Sequence, residues 1–142
     1  MAMNDLKNKI AIVGVGYTPQ GKIEGRTAVG FHCEAIRNAI RDAGIEKEDI
    51  DAMLLYRHFD AIGGDYDVTA FTVAEQLGIN PSVVSQETYC TRTWLYHSVG
   101  MLLSGICKYV VVSYGDNARS CRRSFVKELS NGKATDELAA YG

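Results

Sequence analysis

The chain lacks several features that mark secreted, membrane-spanning and metal-binding proteins. Its four cysteines include no CxxC pair, which excludes a zinc knuckle and a thioredoxin-type motif. No apolar run approaches the roughly 20 residues of a membrane-spanning helix, and residues 1–9 are too polar for a signal peptide. We therefore expect a cytoplasmic protein with reduced thiols and no membrane span.

The chain also lacks an excess of charge of either sign. Lysine and arginine number 15 against 17 acidic residues, and the net charge is −2. This balance gives no electrostatic reason to expect binding to nucleic acid or to an anionic membrane. With 142 residues, of which 46% are apolar and 23% charged, the composition is typical of one soluble globular domain.

Short β-prone runs alternate with segments of helical periodicity along the chain. The predicted order is β-α-β-α-β-α-β, an α/β fold with a mixed, mostly parallel sheet. The first helix should join the first two strands as a parallel βαβ pair. The predicted strands are residues 10–13, 51–56, 83–88 and 108–114, and the predicted helices are residues 27–43, 67–77 and the segment from Thr91 to the stop at Gly105.

Two glycines at the end of the first predicted strand invite a nucleotide-binding interpretation. Gly14 and Gly16 match the first half of GxGxxG, but Pro19 stands where the third glycine belongs, and no helix opens there. We therefore interpret the glycines as residues that let the chain turn sharply.

Cys90 is the principal candidate for chemistry. It follows the predicted strand 83–88 and precedes a predicted helix. Ligands bind at the carboxyl ends of strands in open α/β sheets, and a helix N-terminus lowers the pKa of a thiol. Cys90 is thus a candidate nucleophile; a buried bystander or another role is the alternative. The adjacent His32 and Cys33 point about 100° apart on a helix, so we place Cys33 in the core and His32 at its margin.

Two further groups are candidate substrate-binding residues. His58 lies at the carboxyl end of the second predicted strand, although no partner for catalysis stands near it in sequence. Arg119, Arg122 and Arg123 form a basic cluster. Such a cluster is either a solvated face or a phosphate-binding group.

Four sequence segments, in the same order along the chain, resemble thiolases of the sterol-carrier or lipid-transfer type. The resemblance extends from Lys9 to about Ser120, and the last segment is similar to the lipid-transfer branch in particular. The four segments are residues 10–18 (IAIVGVGYT), 39–51 (AIRDAGIEKEDID), 77–81 (LGINP) and 104–120 (SGICK through VVSYGDNARS).

The resemblance implies a layered fold and an incomplete enzyme. A thiolase has two similar halves, and this chain matches only the first half. Residues 9–120 would form the core of that half, residues 1–8 a flexible lead-in, and residues 121–142 the start of an insertion or loop. The acid/base residues, including a histidine, are expected in the second half.

The resemblance also implies an activity and partners. Cys90 as thiolate would attack the ketone of a 3-ketoacyl-CoA, retain the acyl group, and lose it to the thiol of free CoA. The substrate would be the coenzyme A thioester, and no bound cofactor or metal is expected. A homodimer is expected, and relatives in steroid or aromatic breakdown pair with a small zinc-containing OB-fold subunit of the DUF35 type.

The chain departs from the family pattern at its nucleophile. Cys90 is followed by Thr91-Arg92-Thr93-Trp94 instead of small residues and glycine, and its spacing to Gly105 is short. If the gap precedes the cysteine, Thr88 takes the nucleophile position and Cys90 is structural. Two alternatives to thiolysis are a retro-aldolase acting on a 3-hydroxyacyl-CoA, and a non-catalytic subunit that uses Phe71, Trp94 and Tyr96 to line an apolar groove.

Overall fold

A computed structural model describes residues 7–56, 69–87 and 91–117. Its regular elements alternate between helix and strand after residues 7–27, which form neither, and this confirms the α/β prediction. In chain order they are α1 (Ala28–Ala43), a 3-10 turn (Lys47–Asp49), β1 (Ala52–Tyr56), α2 (Ala70–Leu77), β2 (Val83–Glu87), α3 (Thr91–Leu103) and β3 (Val110–Ser113).

The three strands form one parallel sheet in the order β2-β1-β3. Ala52 at the start of β1 lies opposite Val83 of β2 and Val110 of β3. The predicted strand at 108–114 is therefore confirmed as the parallel strand β3. Its side chains alternate between half-buried and buried positions.

α1 begins and ends close to its predicted bounds, whereas α2 ends at Leu77 as predicted but begins at Ala70 instead of residue 67. The hydroxyl of Thr27 accepts a hydrogen bond from the amide of Gly30 at 3.0 Å, and Thr69 caps α2 in the same way. Gly44 and Gly78 end the two helices with φ angles of 65° and 64°. Glycine adopts this left-handed conformation without the steric cost that a Cβ brings.

The main core lies between the sheet and the helices α1 and α2. The apolar stripe of α1 meets α2, the strands and the flanking isoleucines there, and a buried set of this size is the main source of stability. The central strand is buried on both faces, since Ala52 to Leu55 are each at most 1% exposed. The core comprises Val29, Cys33, Ile36, Ile50, Met53, Leu55, Ala70, Val73, Ala74, Leu77, Ile79 and Val111.

Asp51 fixes the start of β1 to the start of β3. Its carboxylate accepts hydrogen bonds from the amides of Lys108 at 2.7 Å and Tyr109 at 2.9 Å. The amide of Tyr109, then that of Lys108, hold the pKa of Asp51 below its usual range. The carboxylate thereby satisfies two amides that precede the first ladder hydrogen bond of β3.

The prediction of a buried first strand at residues 10–13 is wrong. This stretch pairs with no strand among the described residues, and Ile12 is 81% exposed. The segment instead rests on α1: the amide of Val15 donates to Asp42 at 2.8 Å, and Asn38 donates to the carbonyl of Tyr17 at 3.0 Å. The predicted βαβ pair through α1 is therefore also wrong, and the observed crossover unit is β1-α2-β2.

Gly14 and Gly16 are needed for a close approach to α1 and not for the sharp turn that we predicted. A Cβ on Gly16 would lie 2.0 Å from the carbonyl oxygen of Ala35, and one on Gly14 would lie 2.3 Å from that of Ala39. Both distances are far below van der Waals contact. Glycine is required at both positions because the segment crosses the backbone of α1 closely.

Candidate functional site

The candidate site is the edge of the sheet at which the three parallel strands end. Tyr56, Glu87 and Ser113 are the last residues of β1, β2 and β3, and parallel strands bring their carboxyl ends to one edge. β2 is separated from α3 by residues 88–90 alone. The predicted strand before Cys90 and the predicted helix after it are thus both confirmed.

Three aromatic rings meet at this edge. The ring of Tyr56 meets the edge of Trp94 at a centroid distance of 5.6 Å and Tyr114 at 5.0 Å. Trp94 is 3% exposed, whereas Tyr114 is 55% exposed. The cluster therefore extends from the interior to the surface, as the wall of an apolar ligand site would.

A buried polar pair lies beside the aromatic cluster. Nδ1 of His32, on α1, and Oγ of Ser113, at the end of β3, share a hydrogen bond of 2.8 Å. His32 is fully buried, so its predicted place at the core margin is wrong. Gly115 packs so closely that a Cβ there would lie 3.0 Å from the imidazole. The backbone after β3 is therefore positioned by His32, which precedes Ser113 by 81 residues.

The buried positions of His32 and Ser113 could have been predicted from the periodicity of α1 and β3. His32 follows Val29 by three residues and precedes Ile36 by four, so it belongs to the buried stripe. Ser113 shares a strand face with the buried Val111 because side chains alternate along a strand. The two periodicities together place both residues between α1 and β3.

Comparison with known proteins identifies the fold. No protein-family model matches the chain. Over 54 residues the chain is 39% identical to a curated protein, the steroid side-chain-cleaving aldolase of Thermomonospora curvata, and this match covers 38% of the chain and 14% of the relative.

Solved structures match a larger part of the chain. The Ltp2-ChsH2(DUF35) aldolase superposes with a TM-score of 0.67 at 28% identity, over 78% of this chain and 28% of that one. A monomeric SCP2-thiolase-like protein of type 1 from Mycobacterium smegmatis superposes with a TM-score of 0.56 at 23% identity, over 72% and 22%. The chain has the fold of the N-terminal half of thiolase-like proteins. It spans less than a third of the length of each of these three relatives.

The predicted site residues of this thiolase-like chain lie outside the described residues. This applies to the candidate nucleophile and its alternative, to the histidine after β1 and to the basic cluster, namely Cys90, Thr88, His58, Arg119, Arg122 and Arg123. Their roles remain predictions. What the structure does establish is the pair of elements, β2 and α3, that precede and follow residues 88–90.

The aromatic residues that we proposed for a groove on the thiolase-like chain have different environments. Trp94 is buried at the sheet edge, whereas Tyr96 and Phe71 are 74% and 69% exposed. Trp94 therefore belongs to the interior and meets Tyr56 there, while the other two side chains lie on the surface.

Two cysteines of the thiolase-like chain are buried free thiols. Cys33 packs in the core as predicted, and Cys107 lies before β3. Burial raises the pKa of Cys33, and burial together with the carboxylate of Asp51 raises that of Cys107. Both thiols are therefore poor nucleophiles at neutral pH.

Residues 7–56, 69–87 and 91–117 hold no group of three histidine, cysteine or acidic side chains arranged to bind a metal ion. In these ranges no helix has the length and apolar character needed to cross a membrane.

Proposed function

We propose that this chain is the N-terminal part of a thiolase-fold enzyme that breaks a carbon–carbon bond of a 3-hydroxyacyl-CoA by retro-aldol cleavage. The supporting observation is the 39% identity to a steroid side-chain-cleaving aldolase. The aldolase structure with a TM-score of 0.67 and 28% identity supports the same choice. A steroid side chain or a similarly bulky acyl group is the proposed substrate class.

In the proposed reaction a base removes the proton of the 3-hydroxyl group. The C2–C3 bond breaks, C3 leaves as a carbonyl compound, and the electron pair of the bond passes to C2 as the enolate of the thioester. Protonation of C2 then releases a shortened acyl-CoA. The base and the proton donor belong to the part of the enzyme beyond this chain, and hydrogen-bond donors near the thioester oxygen would stabilise the enolate.

The sheet edge offers groups suited to such a substrate. Tyr114, whose ring rests on Tyr56 with the buried Trp94 behind it, would provide an apolar surface of the kind that a steroid ring or acyl chain contacts. His58 and the three arginines Arg119, Arg122 and Arg123 remain the proposed groups for the phosphates of coenzyme A, since guanidinium groups bind phosphate in a bidentate manner.

The proposed enzyme works as an assembly. The solved aldolase carries ChsH2(DUF35) in its name, and we propose a DUF35-type subunit as a partner of this protein too. A homodimer of the thiolase-fold chain is the second proposed contact. Both proposals are tested by co-purification of the complete enzyme with its partner and by sedimentation.

Thiolysis of a 3-ketoacyl-CoA is the second candidate function. It is favoured by the place of Cys90 between β2 and α3, where the N-terminus of a 13-residue helix would stabilise a thiolate. An acyl group would then be held on the sulfur and transferred to the thiol of free CoA. In the retro-aldol proposal Cys90 forms no covalent bond.

The two functions are separated by assaying the complete enzyme on paired substrates. A steroid 3-hydroxyacyl-CoA is incubated without free CoA, and the matching 3-ketoacyl-CoA is incubated with free CoA. Retro-aldol cleavage predicts products only from the first, with turnover of Cys90→Ser within about threefold of the unaltered enzyme and of the matched thiol control Cys121→Ser.

Thiolysis predicts the opposite pattern. Products would form only from the 3-ketoacyl-CoA, and Cys90→Ser would lose at least about 100-fold in turnover while Cys121→Ser would not. Absence of turnover with both substrates, in an enzyme that still binds CoA thioesters, would support the non-catalytic subunit.

A further inference from the structure

The backbone that leaves β3 is fastened to α1 at every second residue. Oγ of Ser113 shares its hydrogen bond of 2.8 Å with Nδ1 of His32. Gly115 packs on the same histidine, since a Cβ there would lie 3.1 Å from the backbone nitrogen of His32. The side-chain amide of Asn117 donates to the carbonyl of Arg26 at 3.5 Å. This alternation is that of an extended chain, with one side against α1 and the other side turned away from it.

Tyr114 and Asp116 lie at the intervening positions, and their side chains are bonded to each other. The hydroxyl of Tyr114 donates to Oδ2 of Asp116 at 2.6 Å. A hydrogen bond from a phenol to a carboxylate is charge-assisted, which makes it stronger than one between neutral groups. The ring of Tyr114 also lies against that of Tyr56, with 5.0 Å between the centroids. The ring is thus held at its hydroxyl, by a neighbouring ring and through the backbone on both sides.

Tyr114 is held in this way although 55% of it is exposed. Tyr17 and Tyr96 are 81% and 74% exposed, and among the described residues neither side chain makes a ring contact or a hydrogen bond. A side chain that becomes ordered only when a ligand binds loses conformational freedom at that moment, whereas one that is already fixed does not. Tyr114 is therefore pre-organised for a ligand that lies against its ring.

We propose that Tyr114 selects a rigid, fused-ring acyl group over a flexible chain, and that Asp116 is the positioning residue that fixes the ring for this contact. This selection rests on the proposed function, in which the sheet edge receives the acyl group of a CoA thioester. A flat ring system and a fixed aromatic ring meet with little loss of freedom on either side, whereas a flexible chain must order several bonds to cover the same ring. The carboxylate of Asp116 disfavours the adenine end of CoA as the occupant, because that end carries phosphates.

Calorimetry on the complete enzyme measures this contact without the reaction. The probes are the CoA thioester of a fused-ring steroid acid without a 3-hydroxyl group, dodecanoyl-CoA, and CoA itself. Tyr114→Leu should raise the Kd of the steroid thioester at least about 10-fold and change the other two Kd values by less than about threefold. Tyr17→Leu, at another exposed tyrosine, is the matched control and should change none of the three.

The role of Asp116 is tested with the same probes and with turnover. Asp116→Ala should raise the Kd of the steroid thioester at least about threefold. Asp116→Asn, which keeps an oxygen that accepts from the phenol, should recover most of this loss. With the 3-hydroxy steroid thioester as substrate, Asp116→Ala should raise KM and leave kcat within about threefold, because the ring body is remote from the bond that breaks.

Melting temperatures show whether each variant is folded. If Tyr114→Leu does not fold, Tyr114→Phe takes its place, since it keeps the ring and loses only the bond to Asp116. We expect its Kd for the steroid thioester to rise at least about threefold and that for dodecanoyl-CoA to stay unchanged.

Several results would overturn the proposal. Equal losses of affinity for the steroid and dodecanoyl thioesters would make Tyr114 a structural residue, and an equal loss for CoA would make it an adenine-binding residue. Unchanged steroid affinity in Tyr114→Leu would exclude the contact, and unchanged affinity in Asp116→Ala would exclude the positioning role. The proposed function fails on a separate result, namely no cleavage of the 3-hydroxy thioester by the unaltered enzyme, and the calorimetric comparison then still decides what Tyr114 contacts.

Discussion

Nδ1 of His32 and Oγ of Ser113 lie 2.8 Å apart in the interior, between the first helix and the end of the last described strand. The pair determines where the backbone leaves β3, since Gly115 packs directly against the imidazole. Tyr114, which lies between Ser113 and Gly115 in sequence, belongs to the aromatic cluster at the candidate site. This contact between distant parts of the sequence thus positions one wall of that site.

Loss of this pair should lower stability measurably. Ser113→Ala removes one partner of a buried hydrogen bond, and we expect a loss of about 1–3 kcal/mol in the free energy of unfolding. Ser104→Ala is the matched control, because the Ser104 hydroxyl donates to the carbonyl of Met101 at an exposed position. Its expected effect is below about 0.5 kcal/mol. Urea denaturation compares the two variants, and equal losses would contradict the assigned role.

The close crossing of α1 by the N-terminal segment predicts opposite effects of two glycine substitutions. Gly16→Ala would bring a Cβ within 2.0 Å of a helix carbonyl, so the segment must move away from α1. We expect a loss of at least about 1 kcal/mol in the free energy of unfolding. Gly100→Ala, in α3 with open space around it, should instead gain about 0.5–1 kcal/mol.

Thermal unfolding of the two glycine variants, measured side by side, checks the sign of each effect. A Gly16→Ala variant as stable as the unaltered chain would show that the segment does not rest on α1 in solution. Limited proteolysis near Tyr17 gives a second measure, because displacement of the segment should make cleavage faster.

Asp51 should make stability depend on pH in the acid range. Its pKa in the folded chain is below the usual range because the amides of Tyr109 and Lys108 donate to it. The folded state therefore favours the carboxylate, and the resulting stability is present above the unfolded pKa, near 3.9, and is lost as the pH falls through the folded pKa. Asp51→Asn should remove this part of the pH dependence and cost about 1 kcal/mol at neutral pH.

Urea midpoints of the unaltered chain and Asp51→Asn, measured between pH 7 and pH 3, provide the test. The difference between the two should shrink as the pH falls. Asp49→Asn is a control carboxylate, since Asp49 is exposed in the 3-10 turn, where it accepts from the amide of Glu46. A constant difference across this range would contradict the assignment to Asp51.

Apolar periodicity, capping residues and β-branched runs correctly predicted the helix α1 and the strand β3. The stripe and caps of α1, from Thr27 to Gly44, and the valine run of β3 were found at nearly their observed bounds. Residues 10–13 were wrongly predicted as buried because β-propensity reports how well a side chain fits neighbouring strands. No described strand lies next to Ile10 or Ile12, and the sequence around these two residues does not indicate that a neighbouring strand is absent.

The sequence predicted where in the fold the candidate site lies, but it did not predict which residues meet there. The carboxyl edge followed from the alternation of strands and helices, which is a property of topology. The contact of His32 with Ser113 joins residues 81 positions apart, and the meeting of Tyr56 with Trp94 depends on how α3 packs. Such contacts are set by tertiary packing, which a single sequence does not encode in a local pattern.

Thiol reactivity should separate the cysteines of the chain. Burial raises the pKa values of Cys33 and Cys107, so their thiolate fractions at neutral pH are small, and both sulfurs are buried. Cys90, if it stands at the N-terminus of α3 as its sequence position predicts, has a lower pKa and should react first with iodoacetamide. We expect its alkylation at pH 7 to be at least about 10-fold faster than that of the two buried thiols.

Mass spectrometry of peptides from partially alkylated chain measures the three rates. Raising the pH from 6 to 9 should accelerate Cys33 and Cys107 throughout the range, because their pKa values lie above it, whereas the rate at Cys90 should level off near its lower pKa. A Cys90 rate that follows the other two would assign this residue to the structural role. The covalent thiolysis alternative would then lose its nucleophile, and retro-aldol cleavage, which needs no thiolate, would remain.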